Sequence, residues 1–177
     1  MDNINFRDLR ADEIEVRLQS IFDKKGVTLL LYKNARVDMN ILDEAVGNLN
    51  WQKKYLRDNA NCVISIWDSN KKQWIEKEDT GTESESEKEK GLASDSFKRS
   101  GFAWGIGREL YTSPFIWVKW EDLKKVEFDD KKGKYKVKDS FSVEKIVIKD
   151  KRITALSIIN QDGKRVFTYT EKKIEEA

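Results

Sequence analysis

The chain has no histidine, a single cysteine, a single proline and no apolar run near the ~20 residues that a membrane-spanning helix needs. Without histidine there is no Ser-His or Cys-His catalytic pair, and zinc loses its usual nitrogen ligand. Cys62 has no second cysteine to join in an intrachain disulfide, and in "NCVISIW" it reads as a small buried thiol rather than a nucleophile. No GxxxxGK[ST] occurs, which argues against ATP-driven recombination, and "GIG" at 105–107 lacks the third glycine and the preceding strand of a dinucleotide site. The opening "MDNINFRDLR" has no apolar signal-peptide core, so a cytoplasmic location is expected. Catalytic residues, a metal and a cofactor are all absent from the expectation.

What is present is charge and aromatic surface. The 34 basic residues are balanced by 32 acidic ones, a net charge of +2, so the distribution of charge matters more than its sum. Six Trp, eight Phe and five Tyr in 177 residues argue for a folded chain with a substantial core.

In "ADEIEVRLQSIF", Ile14, Leu18, Ile21 and Phe22 recur at helical spacing, with Asp12 and Glu15 in a capping-box relation, so a helix ending at Gly26 is expected. "VTLLLY" reads as a short buried strand. "RVDMNILDEAVG" reads as a helix burying Ile41, Leu42 and Ala45, stopped by Gly47. "NWQKKYL", "CVISIWD" and "KQWIEKED" are rich in strand formers and predict an antiparallel meander, with "SNKK" as a turn. In its first strand Trp51, Lys53 and Tyr55 share one face, combining aromatic surface with positive charge. Residues 78–90 form a polar, mostly acidic connection.

From about Glu87 a helical period sets in. Ala93, Phe97, Ser100 and Trp104 make a stripe suited to packing on a sheet, while Asp95, Lys98, Arg99 and Phe102 fall on the outward side. Gly105 and Gly107 should unwind its end, and the Gly101-to-Gly105 spacing points to close helix packing. Beyond Pro114, "PFIWVKW" reads as a strand and "EDLKKVEFDDKKGKYKVKD" as a loop or poorly ordered connection. "FSVEKIVIKD", "RITALSIIN" and "RVFTYT", separated by "DK" and "QDGK", predict a second meander. Asp68, Glu76, Glu78 and Asp79 lie on or near the first hairpin, as metal-dependent nucleases often arrange theirs, but with so many acidic residues chance proximity is expected.

Adjacent Lys98 and Arg99 with Phe102 one turn on suit phosphate contact beside a flat apolar surface, which single-stranded nucleic acid requires. A solvated helix face accounts for the same two cations. The order of pieces adds to this: "ARVDMNILDEAVGNLNWQKKY", three strands, then "EKGLASDSFKRSGFAWGIGRELY" resembles the Rad-fifty-two-type single-strand annealing proteins, including the phage and prophage recombinase branch, over about residues 27–118.

The resemblance implies an α+β fold, with an antiparallel β-β-β-α annealing-type core at residues 1–125 and flanking helices; the residues beyond it read as a charged connection and C-terminal β-meander at 126–177. It implies a homo-oligomer, ring or filament, that binds single-stranded DNA and anneals it without ATP in homologous recombination and DNA repair, in a bacterial or phage-infected cell. Lys98 and Arg99 would match the family's basic pair on the DNA backbone and Arg36 another groove residue. Lys90 would extend the basic surface, and Phe102, standing where eukaryotic members carry a further arginine, could pack on a base or sugar. The meander at 141–169 matches nothing in the family by residues, and either self-association or docking of a host single-strand-binding or replication protein would suit it. The alternative is a structural or inhibitory oligomeric module that keeps the fold but does not bind DNA.

Overall fold

The computed structural model describes residues 4–82 and 88–171, with the side chains of 88–90 outside that description. In chain order the elements are β1 (Ile14–Phe22), β2 (Gly26–Lys33), α1 (Ala35–Val46), β3 (Trp51–Leu56), β4 (Asn61–Asp68), β5 (Gln73–Thr80), α2 (Lys88–Trp104), β6 (Ile116–Lys119), β7 (Val126–Asp129), β8 (Lys134–Val137), β9 (Phe141–Lys149), β10 (Arg152–Asn160) and β11 (Arg165–Thr170). The fold is mixed α and β, mostly antiparallel strand with two α-helices. It divides into two compact units, Met1–Leu9 with Lys33–Arg108, and Arg10–Tyr32 with Glu109–Ala177. Residue 125, the expected end of the first domain, lies inside the second unit. No described helix is long and apolar enough to cross a membrane.

The first unit holds the expected β-β-β-α order. β3, β4 and β5 form an antiparallel meander, in register from Trp51↔Ile66 to Leu56↔Asn61 and from Asn61↔Thr80 to Asp68↔Gln73. Ile41, Leu42, Ile64, Ile66 and Phe97 are fully buried. α1 starts where the Asn34 side chain accepts hydrogen bonds from the backbone N–H groups of Arg36 and Val37, and ends at Gly47, whose φ of 83° favours glycine. Ala45, in its last turn, is exposed rather than buried.

The second unit is a six-stranded sheet in the order β11-β10-β9-β1-β2-β6, beside the two-stranded hairpin β7-β8. Here the expected N-terminal helix is corrected to a strand. Ile14, Val16 and Leu18 alternate with Glu15, Arg17 and Gln19, so the segment carries a period of two alongside its helical spacing. Pairing with β9 through Glu15↔Ser142 and Val16↔Phe141 satisfies its backbone as strand, and a partner 125 to 127 residues later is invisible to a local pattern. Only Ala11–Glu13 makes a short 3₁₀ turn, where Glu13 accepts from the Arg10 backbone N–H at 2.9 Å. Gly26 opens β2 instead of closing a helix.

The charged connection after residue 120 is also corrected: it forms β7 and β8. Val126 lies opposite Val137 and Phe128 opposite Tyr135, their rings 4.9 Å apart, while Glu127 lies opposite Lys136. Alternation hides the apolar pairs among the charges. The turn is closed by Asp129, which accepts from the backbone N–H groups of Lys131 and Lys132, and by Gly133 at φ 60°. The second meander forms as expected, with Asp150 and Lys151 both at positive φ in the β9-β10 turn.

Candidate nucleic-acid interface

α2 lies on the face of the meander that carries Ile64, Lys77 and Asp79. Its Ser96 hydroxyl donates to the Asn59 carbonyl at 2.9 Å, Ser100 donates to the Lys77 carbonyl at 2.9 Å, and the Trp104 indole N–H donates to the Ile64 carbonyl at 3.0 Å. Lys77 returns a bond to the Ala103 carbonyl at 3.0 Å and lies over the Trp104 ring. The predicted stripe of Phe97, Ser100 and Trp104 is therefore the packing face. The Trp51/Lys53/Tyr55 face is turned toward the same helix: Trp51 packs on Phe97, and Lys53 Nζ lies 4.7 Å from the Phe97 ring centre. Cys62 is fully buried there, and burial pushes its thiol up to about 11, which keeps it protonated.

The cations expected to face outward differ among themselves. Arg99 is exposed, with Nε 3.6 Å from Asp79 on β5. Lys98 retains 15% of its side-chain exposure and stands 3.7 Å from Asp95 one turn back. Arg36 is exposed in the first turn of α1. Phe102 is half-buried, its ring centre 4.0 Å from the ammonium of the buried Lys33. The Lys90 side chain lies outside the described residues. α2 thus presents Arg99 to water and Lys98 only in part, each beside a carboxylate.

What the sequence reading missed is the group beneath Phe102. Lys33, at the end of β2, and Asp38, in the first turn of α1, are both buried, with Nζ and Oδ1 2.5 Å apart. Lys33 also donates to the Ile106 carbonyl at 2.9 Å, just past the end of α2. The pair is roofed by glycines. A Cβ on Gly101 would come within 2.9 Å of Asp38 Oδ2, and one on Gly107 within 2.9 Å of the Lys33 side chain. Gly101 therefore serves close packing as its spacing suggested, whereas Gly105 faces open space and serves the turn, at φ 102°. Asp38 Oδ2 has no hydrogen-bond partner among the described residues. Burial pushes the Asp38 carboxyl up to about 6, outweighing the opposing influence of Lys33 and Lys98. The only signal in the sequence was a lysine ending an apolar strand and an aspartate five residues later.

The carboxylates considered for metal do not converge. Glu76 and Glu78 lie on the sheet face away from α2, bonded to Ser65 and Asn61, while Asp79 faces α2. Asp68 sits at the other end of the sheet, capping its own turn through the backbone N–H groups of Asn70 and Lys71. Among the described residues no three acidic, cysteine or histidine side chains group to hold a metal.

No family model, curated protein or solved structure matches this chain. The case for a function rests on its residues and geometry.

Proposed function

We propose that the protein binds single-stranded DNA and anneals complementary strands without nucleotide hydrolysis, as an oligomer serving recombination and repair in a bacterial or phage-infected cell. One observation carries the reading. Residues 51–104 form β-β-β-α, with α2 covering one face of the meander, Arg99 on its exposed side and Arg36 exposed at the start of α1. Arg36, Lys98 and Arg99 would hold backbone phosphates while the bases stay free to sample pairing partners. DNA must take the place of Asp95 and Asp79 beside Lys98 and Arg99, an exchange that a polyanion favours at low salt.

Fluorescence anisotropy and strand-annealing assays on the native chain and on R36A/K98A/R99A test this. With about three phosphates neutralised per protomer, log affinity should fall against log salt with a slope near −2. The triple variant should lose annealing while light scattering shows an unchanged oligomer. Unchanged annealing would sink the assignment.

The two ion pairs also favour a second reading, an oligomeric interaction module that does not bind DNA, because the cations already have carboxylates beside them. D79N/D95N separates the two. The annealing protein gains affinity for DNA when these carboxylates are neutralised, and the module shows no salt-sensitive binding in either form.

A further inference from the structure

We propose that the second unit carries a platform for unpaired nucleobases, formed by Phe115, Trp117 and Phe22; the inference rests on the single-strand reading above. In β6, Ile116 and Val118 are buried, so the alternation of a strand sends Trp117 to the opposite face, where the exposed Phe115, just before the strand, joins it. Their rings are nearly parallel, at 17°, with centres 6.4 Å apart. Phe22, at the end of β1, continues the row with its ring centre 5.4 Å from that of Trp117.

The row is built into the sheet. Gly26 pairs with Lys119, and a Cβ at Gly26 would meet Trp117 ring atoms at 2.6 and 2.8 Å as well as the Val118 carbonyl, so Trp117 lies directly against bare backbone. Yet the rings remain open to water: Phe115 is 73% exposed and Phe22 47%. Aromatic surface left in water beside a rigid strand is unfavourable unless something covers it.

The charges around the row indicate what does. The turn between β1 and β2 presents Lys24 and Lys25, and Lys119 extends from β6 with 68% of its side chain exposed. Asp23 and Glu121 carry negative charge in the same segments, the latter 3.5 Å from Lys119, while Asp122 is taken up by Lys164 at 2.7 Å. The near-parallel Phe115 and Trp117 rings, with Phe22 tilted by 52° at the end of the row and long flexible cations around them, suit bases that stack and phosphates that stay mobile. Such stacking tolerates any sequence, because every base has a π-face.

The test uses a labelled oligo-dT and an abasic oligomer of equal length, which keeps the phosphates and lacks the bases. The native chain should prefer oligo-dT. F115A should weaken oligo-dT binding by on the order of tenfold, leave abasic binding and the salt slope unchanged, and be rescued by F115W; F115A/W117A should weaken it further. Because Trp117 packs on the sheet, the exposed Phe115 alone keeps the test independent of folding. Oligo-dT binding by F115A at native strength would overturn the platform, as would equal loss of both probes together with a smaller oligomer, which would mean that the face holds a second copy of the chain. If F115A binds normally while R36A/K98A/R99A loses annealing, the platform falls and the annealing reading stands. The reverse pattern supports the platform and removes the groove, and a native chain that binds neither probe overturns both.

Discussion

In the first unit Lys33 and Asp38 meet out of reach of water, whereas Phe22 and Phe115 of the second, which itself buries Glu109, stand on the surface, and pairs such as Glu144 with Arg165 lie in water there. Each departs from ordinary sorting in the opposite sense. A buried ion pair adds little net stability, because desolvation offsets attraction, but it penalises any arrangement in which its members separate. It therefore ties the end of β2, the start of α1 and the turn after α2 to one geometry, beneath the helix that carries Lys98 and Arg99. Exposed rings enforce no such geometry and remain available to a partner.

The contrast is broken most severely by D38A, which strands the Lys33 ammonium in the interior. Chemical denaturation should show a loss of about 3–5 kcal/mol, while K33M/D38L, which removes both charges, should recover most of it. pH comes next. The Asp38 carboxyl is raised from its ordinary 3.8 to about 6. Between those values the folded state holds the proton more firmly than the unfolded state, so this contribution to stability grows as pH falls through 6 toward 4. It amounts to about 3 kcal/mol at most, and melting curves on the native chain and D38N would show whether the slope belongs to this group.

Space-filling changes follow in size. G101A pushes a methyl against Asp38 and G26A pushes one against Trp117; each should lower stability by about 1–3 kcal/mol. Denaturation followed by Trp fluorescence would check both, and G26A should also shift the Trp117 environment. The smallest effect belongs to the second unit's surface. The Arg165 guanidinium beside Glu144 holds that carboxyl down at about 2, with Ser157 assisting. Its contribution is therefore present above the ordinary value near 4.5 and is lost as pH falls toward 2, opposite in sign to Asp38. R165A should remove that acid-side dependence, with a small loss of stability at neutral pH and no effect near pH 2, and salt should mimic it.

Much of this was legible beforehand because it is local. The β3-β4-β5 meander, the Arg36-to-Gly47 span of α1, the packing stripe of α2 and the β9-β10-β11 meander each follow from periodicity and turn chemistry within a few residues. Two segments were misread, one because two periods coexist in it and the other because charge hides its single period. Ile14, Leu18 and Ile21 satisfy a helix while Ile14, Val16 and Leu18 satisfy a strand, and the charges around Val126, Phe128, Tyr135 and Val137 mask an alternation that pairing reveals. At the candidate site, Arg99 and Arg36 are exposed, but Phe102, expected on the outward side, is half-buried over the Lys33 ammonium.

The amino-acid sequence by itself determined the order of strands and helices in the first unit, the absence of histidine chemistry, and which side of α2 meets the sheet, since these depend on residue identity and spacing. Tertiary structure alone decided that β1 is a strand, that Lys33 and Asp38 share one buried site, and that Phe22 stands in a row with Phe115 and Trp117. β1 resolves two local preferences of similar strength, the aromatic row joins rings far apart in the chain, and the Lys33–Asp38 site is closed by Ile106, 73 residues beyond Lys33, so only partners supplied by the fold can settle them.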